Sequence, residues 1–157
     1  MQSKIKFLTA AGLIAAMYTV LCLVFSPISY GAVQVRIAEA LCVLPYFTPA
    51  AVPGLTVGCF LANLLCGMTN VMDIIFGTFA TLLGALLARA VRKYKFLVPV
   101  PSILANTIIL PFVFRFAYGE AQPLLLMMGF VGIGEILSCG VLGLGLLFVL
   151  SKFNLFP

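Results

Sequence analysis

Residues 7–25 run without a single charged side chain, and long apolar runs recur along the rest of the chain. A helix that crosses a bilayer takes about 20 predominantly apolar residues, so a chain of 157 residues is bounded at roughly six or seven crossings joined by short loops. The composition agrees: 64% of the residues are hydrophobic and 8% charged, where a soluble domain carries about 25% charge. A membrane β-barrel needs alternating strands of about ten residues with a polar inner face, and no stretch alternates in that way. No internal repeat supports an inverted-repeat transporter. The expected fold is all-α, one polytopic membrane domain over residues 1–157.

The first run has a basic start at Lys4 and Lys6, like a signal peptide, but it is longer than the 7–15 residues of a signal core. It reads as a spanning helix with those lysines inside. Between residues 35 and 66 the apolar stretch is broken by Pro45, Pro49 and Pro53, which predicts a hairpin of two short helices at about 35–47 and 52–66. The first of these is short enough to be re-entrant. The next helix, about 71–90, ends in the densest basic cluster, Arg89, Arg92, Lys93 and Lys95, which belongs in the cytoplasm. With the N-terminus inside, parity then requires the 35–47 segment to cross. Helices at about 98–116 and 124–150 complete six crossings with both termini cytoplasmic. Of nine basic residues only Arg36 and Arg115 fall outside the inner surface.

The formal charge of +5 therefore reflects insertion rules, and no aromatic-interleaved basic patch points to nucleic acid. The five cysteines form no C-x-x-C pair and the chain has no histidine, so neither a zinc set nor a His-activated nucleophile is available. Phosphate-binding glycine loops are missing too. No enzyme activity, metal or cofactor is expected.

Glu135 falls about eleven residues into the last helix, near the bilayer centre at the α-helical rise. A charge there costs at least about 2.5–3.5 kcal/mol on insertion scales, so it faces a cavity or a partner; the alternatives are a helix–helix tether and a ligand-recognition group. Gly129, Gly132 and Gly134 beside it permit close approach of a ligand or a neighbouring helix. Arg36 and Glu39 stand one turn apart, either as a local ion pair or lining an outer vestibule with Tyr30 and Gln34. Asp73 follows Asn70 at a helix start, where capping competes with ligand contact. Asn63 and Asn106 read as interhelical hydrogen bonders. Small-residue stripes, Gly54/Gly58/Ala62, Ala11/Ala15 and Gly12/Ala16, indicate close helix packing within the bundle or against a partner.

Residues 35–65 (VRIAEALCVLPYFTPAAVPGLTVGCFLANLL), 73–88 (DIIFGTFATLLGALLA) and 133–144 (IGEILSCGVLGL) resemble the QueT family, queuosine-precursor transporters that serve as substrate-capturing S-components of energy-coupling factor (ECF) importers. The resemblance implies a six-helix S-component in the bacterial cytoplasmic membrane, working with a transmembrane T-component and two ATPase subunits. It implies T-component docking on the first helix through Ala11, Gly12, Ala15 and Ala16. The implied ligand is a 7-deazaguanine such as preQ1, preQ0 or queuine. A guanine-type edge presents parallel N–H donors that match a carboxylate, so Glu135 and Glu39 are the leading contacts and Asp73 the third. Arg36, Gln34 and Asn70 complete the polar set, with Tyr30, Tyr118 or Phe76 stacking on the base. The competing readings are a self-sufficient small-molecule permease, an S-component for another heterocyclic vitamin, and a membrane enzyme using Glu135 and Asp73 as acid and base.

Overall fold

The computed structural model describes residues 2–29, 35–66 and 70–153; Tyr30 and Gln34 of the expected vestibule lie outside them. Six helices build the bundle: α1 (Gln2–Val24), α2 (Ile37–Tyr46, wound as a 3-10 helix), α3 (Ala51–Leu65), α4 (Val71–Ala90), α5 (Val100–Ala117) and α6 (Leu124–Phe153). A four-residue helical turn, Ser26–Ser29, follows α1, and a 3-10 turn, Lys95–Leu97, precedes α5. Four of the six, α1, α4, α5 and α6, are long and apolar enough to cross a membrane, while α2 and α3 are shorter. Their outward faces carry Leu8, Phe116 and Leu125 at 69, 77 and 82% exposure, tolerable where hydrocarbon is the solvent. The molecule is a membrane helix bundle.

Each helix runs antiparallel to the one before it. Gly54 and Gly58 of α3 press on the backbone of Ala11 and Ala15, setting α3 alongside α1 in the same direction. Asn63 of α3 donates to the Asp73 carbonyl of α4 (3.4 Å), while Asn70 before α4 donates to the Ala117 carbonyl at the end of α5 (2.8 Å). Gly132 of α6 lies against Thr107 of α5, and Gly140 against Ile103. The guanidinium of Arg89 at the end of α4 donates to the carbonyls of Pro45 (2.8 Å) and Tyr46 (3.3 Å). Lys95 lies 5.8 Å from the Tyr46 ring centre, and Phe96 meets Phe148 of α6 at the same separation. The last turns of α2, α4 and α6 thus gather at the end of the bundle that carries the basic loop.

The centre is α2. Residues 38–45 are all buried, so this helix presents no outer face and is enclosed by α1, α3, α4 and α6. Such a helix is necessarily apolar all round, and its tighter winding, about 2.0 Å per residue, stretches ten residues over roughly 20 Å instead of about 15. Pro45, without an N–H to donate, tolerates that winding near its end.

The α1–α3 seam rests on missing side chains. A Cβ on Gly58 would sit 2.8 Å from Tyr18 Cβ and 2.9 Å from the Ala15 carbonyl oxygen, and one on Gly54 2.8 Å from the Ala11 oxygen. Thr19 reinforces the seam by donating to the carbonyls of Ala15 (2.9 Å) and Gly58 (3.2 Å). The expected docking set is therefore split. Ala11 and Ala15 are taken up by α3 because the two backbones approach too closely to admit anything between them; Gly12 and Ala16 remain on the exposed face of α1. It follows that Ala15→Leu overpacks the seam, at a cost of about 1–3 kcal/mol, and lowers the thermal midpoint of the detergent-solubilised protein by several degrees. Ala16→Leu leaves that midpoint within error; equal midpoints for the two variants contradict this packing.

Candidate functional site

Four charged residues are buried among the described residues: Arg36 and Glu39 from the start of α2, Asp73 from the first turn of α4, and Glu135 from mid-α6. The geometry of α2 brings the first two together, since Glu39 stands one 3-10 turn after Arg36. The Glu39 carboxylate accepts a hydrogen bond from the Tyr18 hydroxyl of α1. Glu135 is held from two sides: Oε1 accepts from Asn106 Nδ2 of α5 at 3.0 Å, and Oε2 from Cys139 Sγ at 3.2 Å. The same Cys139 sulfur lies 3.4 Å from the Glu39 carbonyl oxygen, so its single proton is shared between α2 and α6. Carboxylate oxygens of Glu39 and Glu135 and the Cys139 sulfur all lie within 4.8 Å of one another. The two acids expected to lead recognition thus converge in the middle of the bundle, and Arg36 is within coulombic reach of both.

The helix carrying Glu135 changes its winding there. After Glu135, α6 widens into a π-helix over Ile136–Gly143 before returning to α-geometry. Such wide turns are rare and concentrate at functional sites. Gly143 lets the widened section close on α2: a Cβ there would meet Val43 Cγ1 at 3.1 Å and the Ala40 oxygen at 3.4 Å. Two carboxylates and a thiol also form a set of metal-type donors, but a guanidinium alongside disfavours a divalent cation and suits an organic ligand bearing N–H groups.

Asp73 belongs to a neighbouring cluster. Its carboxylate accepts from the Tyr118 hydroxyl at 2.5 Å, and its carbonyl from Asn63. Asn70 caps α4, its Oδ1 accepting from Met72 N at 3.0 Å, while its amide nitrogen ties α4 to α5. Capping and interhelical bonding thus account for Asn70, and Asp73 with Tyr118 joins the same end of α4 and α5. Arg36 lies within coulombic reach of Tyr118, which links this cluster to the carboxylate pair. Phe76 is elsewhere: it lines an apolar groove of about 420 Å³ between α4 and α5, with Met72, Phe79, Ile108, Phe112 and Phe116. Phe76 is 43% exposed, on the α4–α5 groove and not among the residues that meet at the carboxylate pair. Glu120 is exposed, and Arg115 donates to its carbonyl at 3.2 Å.

Tyr18 and Cys139 are hydrogen-bond partners of the two carboxylates that their sequence positions alone did not single out. Cys139 was legible as the residue four positions after Glu135, one turn along the same helix face. Tyr18 was signalled only by a hydroxyl inside an apolar run, which must find an acceptor when buried.

The model of the QueT transporter family matches residues 8–152, nearly the whole chain and every residue of the carboxylate cluster. The queuosine precursor transporter QueT of Lactococcus lactis subsp. cremoris is 33% identical over 92 residues, which cover 55% of this chain and 53% of that protein. The match therefore spans about half the length of this curated relative. No solved structure matches the chain. On the extent of the family match, the chain belongs to the QueT transporter family.

Proposed function

We propose that this protein is the substrate-capturing S-component of an ATP-driven importer of the ECF type, and that it takes a queuosine precursor from outside the cell. The ligand is a 7-deazaguanine such as preQ1, preQ0 or queuine, and the curated relative named as a queuosine precursor transporter supports that choice. The observation that carries the reading is the meeting of Glu39 and Glu135 inside a family-matched bundle. Two carboxylates in a hydrocarbon interior are expensive, and a ligand edge with parallel N–H donors offsets that cost through charge-assisted hydrogen bonds. Arg36, Asp73 and Tyr118 stand at the approach to the pair, with Tyr30 and Gln34 assigned to its outer rim.

All six helices cross the membrane in this reading, α2 and α3 as a hairpin, with both termini and the basic loop cytoplasmic. The alternating helix directions and the gathering of Arg89, Lys95 and the ends of α2 and α6 at one end support it. Capture from outside is followed by closure of the outer loops, docking to a T-component energised by two ATPase subunits, and reorientation of the bundle. Gly12 and Ala16 form the docking face on α1, since Ala11 and Ala15 are occupied by α3. A cysteine placed at position 94 on a cysteine-free background stays unreactive toward an impermeant reagent applied to intact cells; labelling from outside contradicts the six-crossing topology.

Glu135→Gln keeps the volume but turns one acceptor into a donor facing the donors of the ligand. Removing one partner of a buried charge-assisted pair costs about 2–5 kcal/mol, so the dissociation constant rises roughly thirty-fold or more. Glu120→Gln at the exposed rim changes it little. Isothermal titration with 7-deazaguanine, its aminomethyl and cyano derivatives, and guanine as control measures both. Wild-type affinity in Glu135→Gln, with loss of thermal stability alone, makes the carboxyl a helix tether and overturns its role in recognition.

A further inference from the structure

The chain has four acidic residues. Glu39, Asp73 and Glu135 lie inside the bundle, and Glu120 stands on the turn between α5 and α6. None is at the end where α4 gives way to α5, and there Arg92, Lys93 and Lys95 are all exposed. The fold brings a further exposed cation to them from the far end of the sequence. Phe96 meets Phe148 of α6 with ring centres 5.8 Å apart, and Lys152 follows Phe148 by four residues, one turn along the same helical face. The turn is fastened to the end of α2 as well, by Arg89 on the carbonyls of Pro45 and Tyr46 and by Lys95 at the Tyr46 ring. Like charges gathered without a carboxylate repel one another unless anions collect beside them. The surface among them is apolar, with Tyr94 66% and Phe96 69% exposed. Insertion rules account for the side of the membrane on which these cations fall, but they call for neither exposed rings among the cations nor the arrival of Lys152.

We propose that this end of the bundle is a binding site for an anionic phospholipid. Lys95 and Lys152 hold its phosphate, Arg92 and Lys93 add to the positive field around it, and Phe96 and Phe148 carry the first carbons of its acyl chains. The occupant follows from the two halves of the surface. Clustered Lys and Arg immediately beside spanning helices attract anionic head groups, and aromatic rings at the same level sit between head groups and hydrocarbon. An acidic protein segment would satisfy the cations alone, whereas a phospholipid satisfies the cations and the rings together. The lipid site lies apart from the carboxylate cluster, and it is independent of which small molecule that cluster takes.

The test is native mass spectrometry of the full-length detergent-solubilised chain with equimolar dioleoyl phosphatidylglycerol and dioleoyl phosphatidylcholine, reading which lipid occupies the first site. Each cation against an anionic head group is worth about fivefold in association at low ionic strength, so two in contact give phosphatidylglycerol a preference of about twentyfold. Lys95→Gln with Lys152→Gln removes most of that preference, and Lys95→Arg with Lys152→Arg keeps it. Lys4→Gln with Lys6→Gln takes the same charge from α1, which packs on α2 and α3, and leaves the preference unchanged. If the Lys95 and Lys152 double variant is not monodisperse, Lys152→Gln alone lowers the preference about fivefold. An equal fall in the α1 pair and in the Lys95 and Lys152 variants shows a diffuse field in place of a site, which overturns the proposal. A preference that survives loss of Lys95 and Lys152 overturns it too. Wild-type protein that takes both lipids equally also overturns it, and leaves these cations to insertion or to an acidic protein.

Discussion

A carboxylate inside a helix bundle surrounded by hydrocarbon has to be given partners, and the arrangement of this chain follows from that requirement. Glu39 and Glu135 sit on different helices, yet their oxygens and the Cys139 sulfur lie within 4.8 Å of one another. Holding them there takes donors from three further places: Tyr18 on α1, Asn106 on α5 and Cys139 one turn along α6. The Tyr18 and Asn106 bonds, with the Cys139 contact to the Glu39 carbonyl, each tie two helices together, so the polar cluster and the packing of the bundle are one construction. In soluble proteins apolar burial drives helices together; between helices in lipid that drive is lost, and close backbone packing with polar contacts takes its place.

The close packing is provided by small residues. Gly54 and Gly58 bring α3 against α1, Gly84 brings α4 so near α5 that a Cβ would lie 2.9 Å from Ser102 Cα, and Gly143 brings α6 onto α2. These contacts leave α2 enclosed on all sides and place its first turn, with Arg36 and Glu39, in the interior. The short helix least suited by length to crossing a bilayer is thus the one around which the others are arranged. Its 3-10 winding and the π-section of α6 face each other across the site. Both depart from α-geometry where backbone and charged side chains have to be positioned for something other than helix regularity.

Much of this was legible in the sequence, and the remainder was hidden for physical reasons. Apolar run length and the proline breaks point to a bundle of helices, and the rarity of charge singles out Glu39 and Glu135. The windings of α2 and α6 were not legible, because a helix buried or lipid-covered on every side shows no periodicity by which 3.0, 3.6 and wider turns can be told apart. For the same reason the two interleaved stripes of α1 look alike in sequence, although Ala11 and Ala15 face α3 while Gly12 and Ala16 face outward. Asn70 and Asp73 kept their helix-start roles beside the site, as their positions next to an N-terminus permit.

The central claim is that Glu39 and Glu135 form one recognition site for a small molecule bearing N–H donors. The most direct measurement is mass spectrometry of compounds released on denaturing protein purified from cells supplied with queuosine precursors, comparing wild type with Glu39→Gln and Glu135→Gln. A stoichiometric 7-deazaguanine carried by wild type and lost from both folded variants is the predicted result. Retention of that ligand by both folded variants, at wild-type stoichiometry, contradicts the account.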